Sequence, residues 1–551
     1  MEETSSPCIK SARQEQALFK SSSEENAPKL LLEPSPKTTC SINFRKAHLE
    51  QAYLLKRPLQ GLLPLTLQLL QFFLLRQEAT ATPEFLTYLD HFLRIDYGQD
   101  YYKRLDKVIE FRVSGDLTLK GKIENMFQQV VYTVNQPAAA RGNQSVFWNI
   151  AYFDKYYFEA IFKGFFFPDG YKPCWESVNV LQKLFMKWFN KERTHEVMTF
   201  PVETFNLLND GNGDYKDKEN AEFCAEMLAE GHSFFIYQSD SPDALASCCR
   251  LRNALENNEF SYTLGAGGIE TGSKGVITLN LNRIVQDWKN EGCKVTLKER
   301  ITEITERVHK YLSAFNDIVW DYYNNGMLQI YNEGFINLDK QFLTIGINGF
   351  VEGAEFLGYR ISPDYENYKQ HAIDILTTIK DLNKRDRQPH CKFNTEFVPA
   401  ESLGVKNAKW DKQDGYWVPR DVYNSYFYIV EDTHTTPLEK FELMGKDFTG
   451  CLDGGSALHM NLDEHLSKAQ YEMLMKVAVK DGCNYFTFNI PNTVCNDCGH
   501  ISKQNLKACP KCGSTNLDYL TRVIGYLKRV SNFSEARQRE AKRRYYADNI
   551  Q

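Results

Sequence analysis

Four cysteines late in the 551-residue chain, Cys495, Cys498, Cys509 and Cys512, fall as C-x2-C-x10-C-x2-C, and Arg522-Val523-Ile524-Gly525-Tyr526-Leu527 follows soon after. Each C-x-x-C turn aims two thiolates at one ion. Two such turns complete the tetrahedral all-sulfur shell that Zn2+ takes in structural sites. Gly499 and Gly513 each follow the second cysteine of a turn, where left-handed backbone costs least. The spacing therefore predicts zinc rather than a redox pair or an iron–sulfur cluster. Behind the knuckles, Gly525 stands on a short loop. A terminal helix should then begin with Asn532 and Glu535 as a capping box, and Glu535 and Arg539 are spaced to pair across one turn.

Other segments offer chemistry less sharply. Cys248 and Cys249 precede Arg250, whose cation could lower a thiol's pKa, although either thiol serves equally as a small core residue. The run Gly265–Gly275, GAGGIETGSKG, is rich in glycine but matches neither a dinucleotide fingerprint nor a phosphate-binding loop, because Glu270 and Gly272-Ser273-Lys274 occupy the decisive positions. It reads as a loop feeding a strand. In Thr344–Gly358, TIGINGFVEGAEFLG, a strand should turn at Asn348-Gly349 into a helix with Glu352 in its first turn. The exposed N–H groups of such a turn, or of Asp453-Gly454-Gly455-Ser456, can hold a phosphate or a polar substrate group, or the turns can be plain connections.

The elements that must position these residues follow from the apolar pattern. Val197–Asn206, Ser233–Gln238, Gly275–Leu281, Gln341–Ile347 and Tyr485–Ile490 read as strands, with helical stretches between several of them, so the fold class is α/β around a buried sheet or barrel. Thr82 should cap a helix with Pro83 and Glu84 in its first turn, Lys120–Gln136 and Ile301–Asn325 read as amphipathic covering helices, and Phe147–Phe166 reads as buried. Residues 1–40 are rich in Ser, Glu, Pro and Lys and suit a mobile segment. A hydrophobic fraction of 42% fits a packed enzyme, and a net charge of −6 argues against a surface that neutralises nucleic-acid phosphates. Fourteen cysteines without a secretory signal suggest a reducing, cytoplasmic setting. The apolar stretch Gly61–Leu75 is shorter than the ~20 residues of a spanning helix.

Taken together, the knuckles and the R-V-x-G-Y-L motif resemble the anaerobic, class III ribonucleotide reductases, which are glycyl radical enzymes. The segments TPEFLTYLDHFLRIDYGQDYYKRLD, FQQVVYTVNQPAAARGNQSVFWNIAYFDKYYFEAIF, SDSPDALASCCRLRN, TIGINGFVEGAEFLG, DGGSALHMNL and YFTFNIPNTVCNDCG follow that family in the same order, over about Thr82 to Gln551. The resemblance implies a ten-stranded α/β barrel with a C-terminal zinc ribbon and glycyl radical loop. It divides the chain into an atypical or disordered segment 1–80, a barrel 81–490 and a ribbon with radical loop 491–551. It implies a radical stored on Gly525, generated with S-adenosylmethionine by a separate iron–sulfur activase, and passed to a cysteine inside the barrel. Cys249 is the expected thiyl residue, with Cys248 the alternative. Asn348, Gly349, Gly454, Gly455 and Ser456 become expected substrate-facing residues.

The implied reaction converts ribonucleoside triphosphates to deoxyribonucleoside triphosphates for DNA precursor synthesis, with formate or a redoxin as reductant. A homodimer with dNTP or ATP effectors at its interface is also implied, the helix Ile123–Asn135 being the expected contact. Another glycyl radical enzyme would share the radical glycine but not the knuckles or TIGINGFVEGAEFLG. Upstream of Thr82 the resemblance stops: the family carries the first barrel strand and a further active-site cysteine there, whereas this sequence is Leu-, Gln- and Ser-rich and places Cys8 and Cys40 in no matching context. An inactive homologue with a degenerate N-terminus is therefore the third expectation. No ATP-cone is visible, so control through that module is not expected.

Overall fold

A computed structural model describes residues 39–41, 80–113, 115–137, 145–167, 169–242, 272–332, 337–397, 402–522 and 525–548. Its centre is a ten-stranded sheet. In chain order the strands are β1 (Thr39–Ser41), β2 (Thr80–Thr82), β3 (Trp148–Phe153), β4 (Val202–Leu208), β5 (Phe235–Ser239), β6 (Gly272–Asn280), β7 (Gln341–Asn348), β8 (Lys392–Glu396), β9 (Leu458–Asn461) and β10 (Tyr485–Asn489). They lie side by side as β8-β7-β6-β1-β2-β3-β4-β5-β10-β9.

Strands β1 to β5 run parallel to one another. So do β6, β7 and β8, and so do β9 and β10. The direction reverses at β1/β6 and at β5/β10. No ladder joins β8 to β9, so the sheet has two edges. A single parallel bridge, Glu396 to Gly455, ties the end of β8 to the turn that leads into β9.

The pleat sorts side chains by polarity. On β4, Phe205 and Leu207 alternate with Thr204 and Asn206; on β10, Phe486 and Phe488 alternate with Thr487 and Asn489; on β9, Leu458 and Met460 alternate with His459 and Asn461. Successive side chains of a strand point to opposite faces, so on these three strands one face is mainly apolar and the other polar, and both are buried. Helices cover the apolar face, as parallel sheets require. Several side chains of the polar face bond laterally: Asn489 Nδ2 donates to Asn461 Oδ1 at 2.7 Å, Thr344 Oγ1 to Asn394 Oδ1 at 2.7 Å, and Ser273 and Thr344 share a hydroxyl hydrogen bond of 2.8 Å. A buried polar face of this kind costs stability unless it is hydrogen-bonded, and it is the surface on which chemistry can occur.

Several local expectations shift. Thr82 does not cap a helix; it ends β2, pairs with Ile150, and its hydroxyl accepts from the Trp148 indole N–H at 2.8 Å. The helix starts after the turn at Pro83-Glu84, as Phe85–Tyr97 with no side-chain cap. Strand pairing has taken the residue that capping chemistry suggested. The long helix spans Leu297–Asn324, earlier than expected, because Thr296 and Glu299 form a full capping box. At the other end Asn532 lies in a short 3-10 turn, and the last helix is Glu535–Arg543, capped at Ser534 without a side-chain bond. The expected box does not form. Arg539 reaches Asp421 at 2.9 Å instead of Glu535.

Beyond the sheet, β11 (Asn492–Cys495), β12 (Ile501–Ser502), β13 (Leu517–Arg522) and β14 (Leu527–Arg529) form a second antiparallel sheet in the order β12-β11-β13-β14. Among the described residues no helix is long and apolar enough to cross a membrane. Gly61–Leu75 and Cys8 lie outside the described residues.

Candidate active site

The four knuckle cysteines come together: their sulfur atoms all lie within 4.8 Å of one another, with Cys495 to Cys512 and Cys498 to Cys509 each at 3.6 Å. The two short separations cross between the knuckles, so the set is interleaved. Zinc–sulfur bonds of about 2.3 Å in a tetrahedron place sulfurs about 3.8 Å apart, which the cluster matches. Gly499 (φ 72°) and Gly513 (φ 73°) return N–H bonds to Cys495 O at 3.0 Å and Cys509 O at 2.9 Å, closing each turn in left-handed backbone. The donor set and spacing fit a structural Zn2+.

The cluster sits between β11 and the start of β13, and β13 leads directly to the glycine loop. Asn489, the last residue of β10 on the polar face, receives it: Arg522 N donates to Asn489 Oδ1 at 2.9 Å, and Asn489 Nδ2 donates to Arg522 O at 3.2 Å. From the far side Arg544 Nη1 donates to the same Arg522 carbonyl at 2.7 Å, while its Nε and Nη2 hold Glu540 at 2.9 and 2.8 Å. Gly525 is buried, its carbonyl accepts from Arg522 Nη1, and Tyr526 lies against Phe147 and Phe200, with ring centroids 5.2 and 5.6 Å away. The glycine is therefore carried to the polar face of the sheet, where β10 ends and β4 and β5 begin.

Beside it lies a charged cluster on the helix side of β4. Glu203 accepts from Tyr152 OH at 2.6 Å and Arg193 Nη1 at 3.0 Å, and is bonded to His232 Nε2 at 2.9 Å. Burial opposes charge on Glu203, but His232, Arg193 and Tyr152 outweigh it and hold the carboxyl below its usual range.

Asn348 and Gly349 frame another part of the polar face. Asn348 Nδ2 donates to Tyr423 O at 3.3 Å and Asn424 O at 3.2 Å, and its Oδ1 accepts from Asn407 at 2.8 Å. Gly349 takes φ 73°, and a Cβ there would meet Asn280, Asn282 and Tyr423 at 3.2 Å. Glu352 accepts from Asn424 N at 3.0 Å and Asn424 Nδ2 at 2.7 Å and pairs with Arg420 at 2.8 Å. The Asn348 turn thus holds the segment Arg420–Ser425 over the end of β7.

The second turn is built into the sheet edge: Gly454 N donates to Thr395 O at 2.8 Å, and a Cβ on Gly454 would meet that oxygen at 2.9 Å. Its amide is spent on β8 rather than left in an open nest. Ser456 Oγ is buried without a hydrogen-bond partner among the described residues. Cys248 and Cys249, with residues 265–271 of the glycine run, lie outside the described residues. Sequence reasoning passed over Arg522, Asn489, Ser233, Arg420 and Asn424; of these only Arg522 and Asn489 stood in a quoted motif or segment.

Comparison with known proteins places this mixed α/β frame, with its thiolate cluster and buried glycine, among oxidoreductases of the ribonucleotide reductase class. The family model for anaerobic ribonucleoside-triphosphate reductase matches residues 65–546. A solved anaerobic ribonucleotide reductase is similar at 27% identity over 95% of this chain and 82% of its own, with a TM-score of 0.79. The Thermotoga maritima anaerobic ribonucleotide reductase in complex with dATP and CTP is 28% identical over 93% of this chain and 82% of its own, TM-score 0.76. The same enzyme with dATP in the specificity site gives 27%, 92%, 83% and 0.74. No curated protein matches the chain. The chain belongs to the anaerobic ribonucleoside-triphosphate reductase family, oxidoreductases that reduce ribonucleotides. The match begins at residue 65, upstream of the Thr82 at which the sequence resemblance stops, and it sets aside the reading as another kind of glycyl radical enzyme.

Proposed function

We propose that Gly525 stores the radical and that this chain converts ribonucleoside triphosphates to their deoxy forms. The observation that carries the proposal is the seating of Gly525: Asn489 and Arg544 fix the backbone at Arg522, and Arg522 holds the Gly525 carbonyl at the buried polar face. Without a side chain the Gly525 Cα can flatten between its amide and carbonyl, and a neighbouring group can approach it closely. An activase removes one Cα hydrogen, using S-adenosylmethionine and an iron–sulfur cluster of its own. Cys249, or its neighbour Cys248, then gives its S–H hydrogen to Gly525 and becomes a thiyl. The thiyl takes the 3′ hydrogen of the substrate, the 2′ hydroxyl leaves as water, two electrons come from formate or a redoxin, and the cysteine returns its hydrogen to C3′.

The same reading gives the other parts their work. The thiolates of Cys495, Cys498, Cys509 and Cys512 hold Zn2+, which is structural and places the Gly525 loop. The Asn348-Gly349 and Gly454-Gly455-Ser456 turns face substrate, with the unpartnered Ser456 hydroxyl supporting the second. A ten-stranded barrel closed around this centre is favoured by the parallel Glu396–Gly455 bridge and by the shared direction of β6–β8 and β9–β10, opposite to that of β1–β5. Cys40 lies in β1, in register with Thr80 and Gly272, and is our choice for the upstream cysteine of the reaction. The chain acts in the cytoplasm as a homodimer through the outward face of the helix Leu119–Asn135; Ile123, Phe127 and Val131 are already buried within the chain. The relatives solved with dATP and CTP support nucleotide effector and substrate sites.

The test is anaerobic incubation with activase, S-adenosylmethionine, reductant and a ribonucleoside triphosphate. A doublet radical signal in electron paramagnetic resonance together with deoxynucleotide product is the expected result. No signal from the intact chain, or a signal that persists in Gly525→Ala, overturns the reading.

A further inference from the structure

Two guanidiniums converge on one backbone carbonyl beside Gly525. Arg193 Nη1 donates to Ser233 O at 2.9 Å, and Arg522 Nη2 donates to the same oxygen at 2.9 Å while its Nε reaches Ser233 Oγ at 2.9 Å. The remaining arm, Nη1, takes the Gly525 carbonyl. Arg522 is 1% exposed and lies over the Phe235 ring, 4.8 Å from its centroid. Its ion-pair accounting is unusual. Glu203, the carboxylate of this cluster, is engaged by Tyr152, His232 and Arg193, and every described acceptor of Arg522 is a neutral oxygen.

The tail shows what a purely structural arginine looks like 22 residues further along. Arg544 is also buried and grips Glu540 with two nitrogens. A buried cation without a carboxylate is expensive to keep, and burial, then the neighbouring Arg193, lowers the Arg522 guanidinium to about 9. A donor of this kind suits an acceptor that gains electron density on demand. Spin on the Gly525 Cα is delocalised into its carbonyl oxygen, and a cationic donor on that oxygen stabilises the delocalised form more than the closed-shell peptide.

We infer that Arg522 is a positioning residue for the radical: Ser233 aims its guanidinium, and the guanidinium both catches the Gly525 carbonyl and polarises it when the Cα has lost its hydrogen. The inference rests on the reading of Gly525 as the radical store. Asn489 and Arg544 fix the backbone of Arg522, which anchors the donor.

Three variants of the full chain, Arg522→Gln, Arg522→Lys and Ser233→Ala, are activated anaerobically beside the wild type and Gly525→Ala. Arg522→Gln is expected to give a radical whose hyperfine splitting and g-values differ from wild type, whose lifetime is shorter by about tenfold, and whose turnover falls by a similar factor. Arg522→Lys should recover part of the lifetime. Ser233→Ala, which leaves every charge and the Ser233 carbonyl in place, should shorten the lifetime by about threefold at unchanged zinc content. Should Arg522→Gln fail to fold or to be activated, Ser233→Ala decides: wild-type signal shape and lifetime in that variant overturn the inference. So does a wild-type signal from Arg522→Gln. A signal surviving in Gly525→Ala would instead show that the radical residue was misassigned.

Discussion

The two ends of the chain reach the same sheet by different means. The tail is held by side chains: four thiolates within 4.8 Å of one another, an amide from Asn489, and the Arg544–Glu540 pair gripping Arg522. The N-terminal strands β1 and β2 are three residues each, yet they occupy the middle of the sheet between β6 and β3. Their pairing is main-chain: Cys40 against Thr80 and Gly272, Thr82 against Ile150, with the Trp148 indole added on Thr82. Anchors made of side chains announce themselves by residue type and spacing. Strands held by backbone pairing need no particular residues, so their position can be kept while the sequence around them drifts.

That contrast can be broken from either side. The largest effect is expected where both ends meet in the reaction. Cys249→Ala should keep the radical and lose product by at least about 10³-fold, and Cys40→Ala in β1 should do the same, measured as radical yield and deoxynucleotide formed in one sample. Full product from Cys40→Ala would make the N-terminal strands architecture alone. Next, Cys509→Ser should release zinc and lower radical yield by about tenfold while the circular dichroism of the sheet is kept, since losing one ligand undermines the whole shell. Metal content by atomic emission and spin count together check it; unchanged values in both contradict a placing role for the ribbon.

Smaller effects probe each anchor's stability. Glu540→Gln removes the carboxylate that Arg544 grips with two nitrogens, and denaturant unfolding should show a loss of about 3–5 kcal/mol. Thr82→Val removes the acceptor of the Trp148 indole and should cost only about 1 kcal/mol in the same measurement. If the second exceeded the first, the N-terminal strands would be the more specifically held region.

The same physics explains what could be read before the structure. Strands such as Gln341–Asn348 and Tyr485–Asn489 are legible because they are buried on both faces and alternate apolar with small polar residues over most of their length. The knuckles are legible because four thiolates on one ion impose a spacing. Thr82 misleads because Thr-Pro-Glu is good cap chemistry, and nothing local reports that β3 will pair with it. Asn532 misleads likewise, in a segment where Ser531 Oγ is drawn 2.6 Å from Asp518. Of the hook around Gly525 only the motif that contains Arg522 was legible, not its partners. Arg522 and Ser233 are 289 residues apart, and only the fold makes them neighbours.

The most direct measurement is electron paramagnetic resonance of the anaerobically activated chain made with ordinary glycine and with α-deuterated glycine. A radical on Gly525 predicts a doublet from its one remaining α-hydrogen that narrows to a single line on deuteration and is absent from Gly525→Ala. A signal indifferent to deuterated glycine, or one that survives Gly525→Ala, would contradict the account.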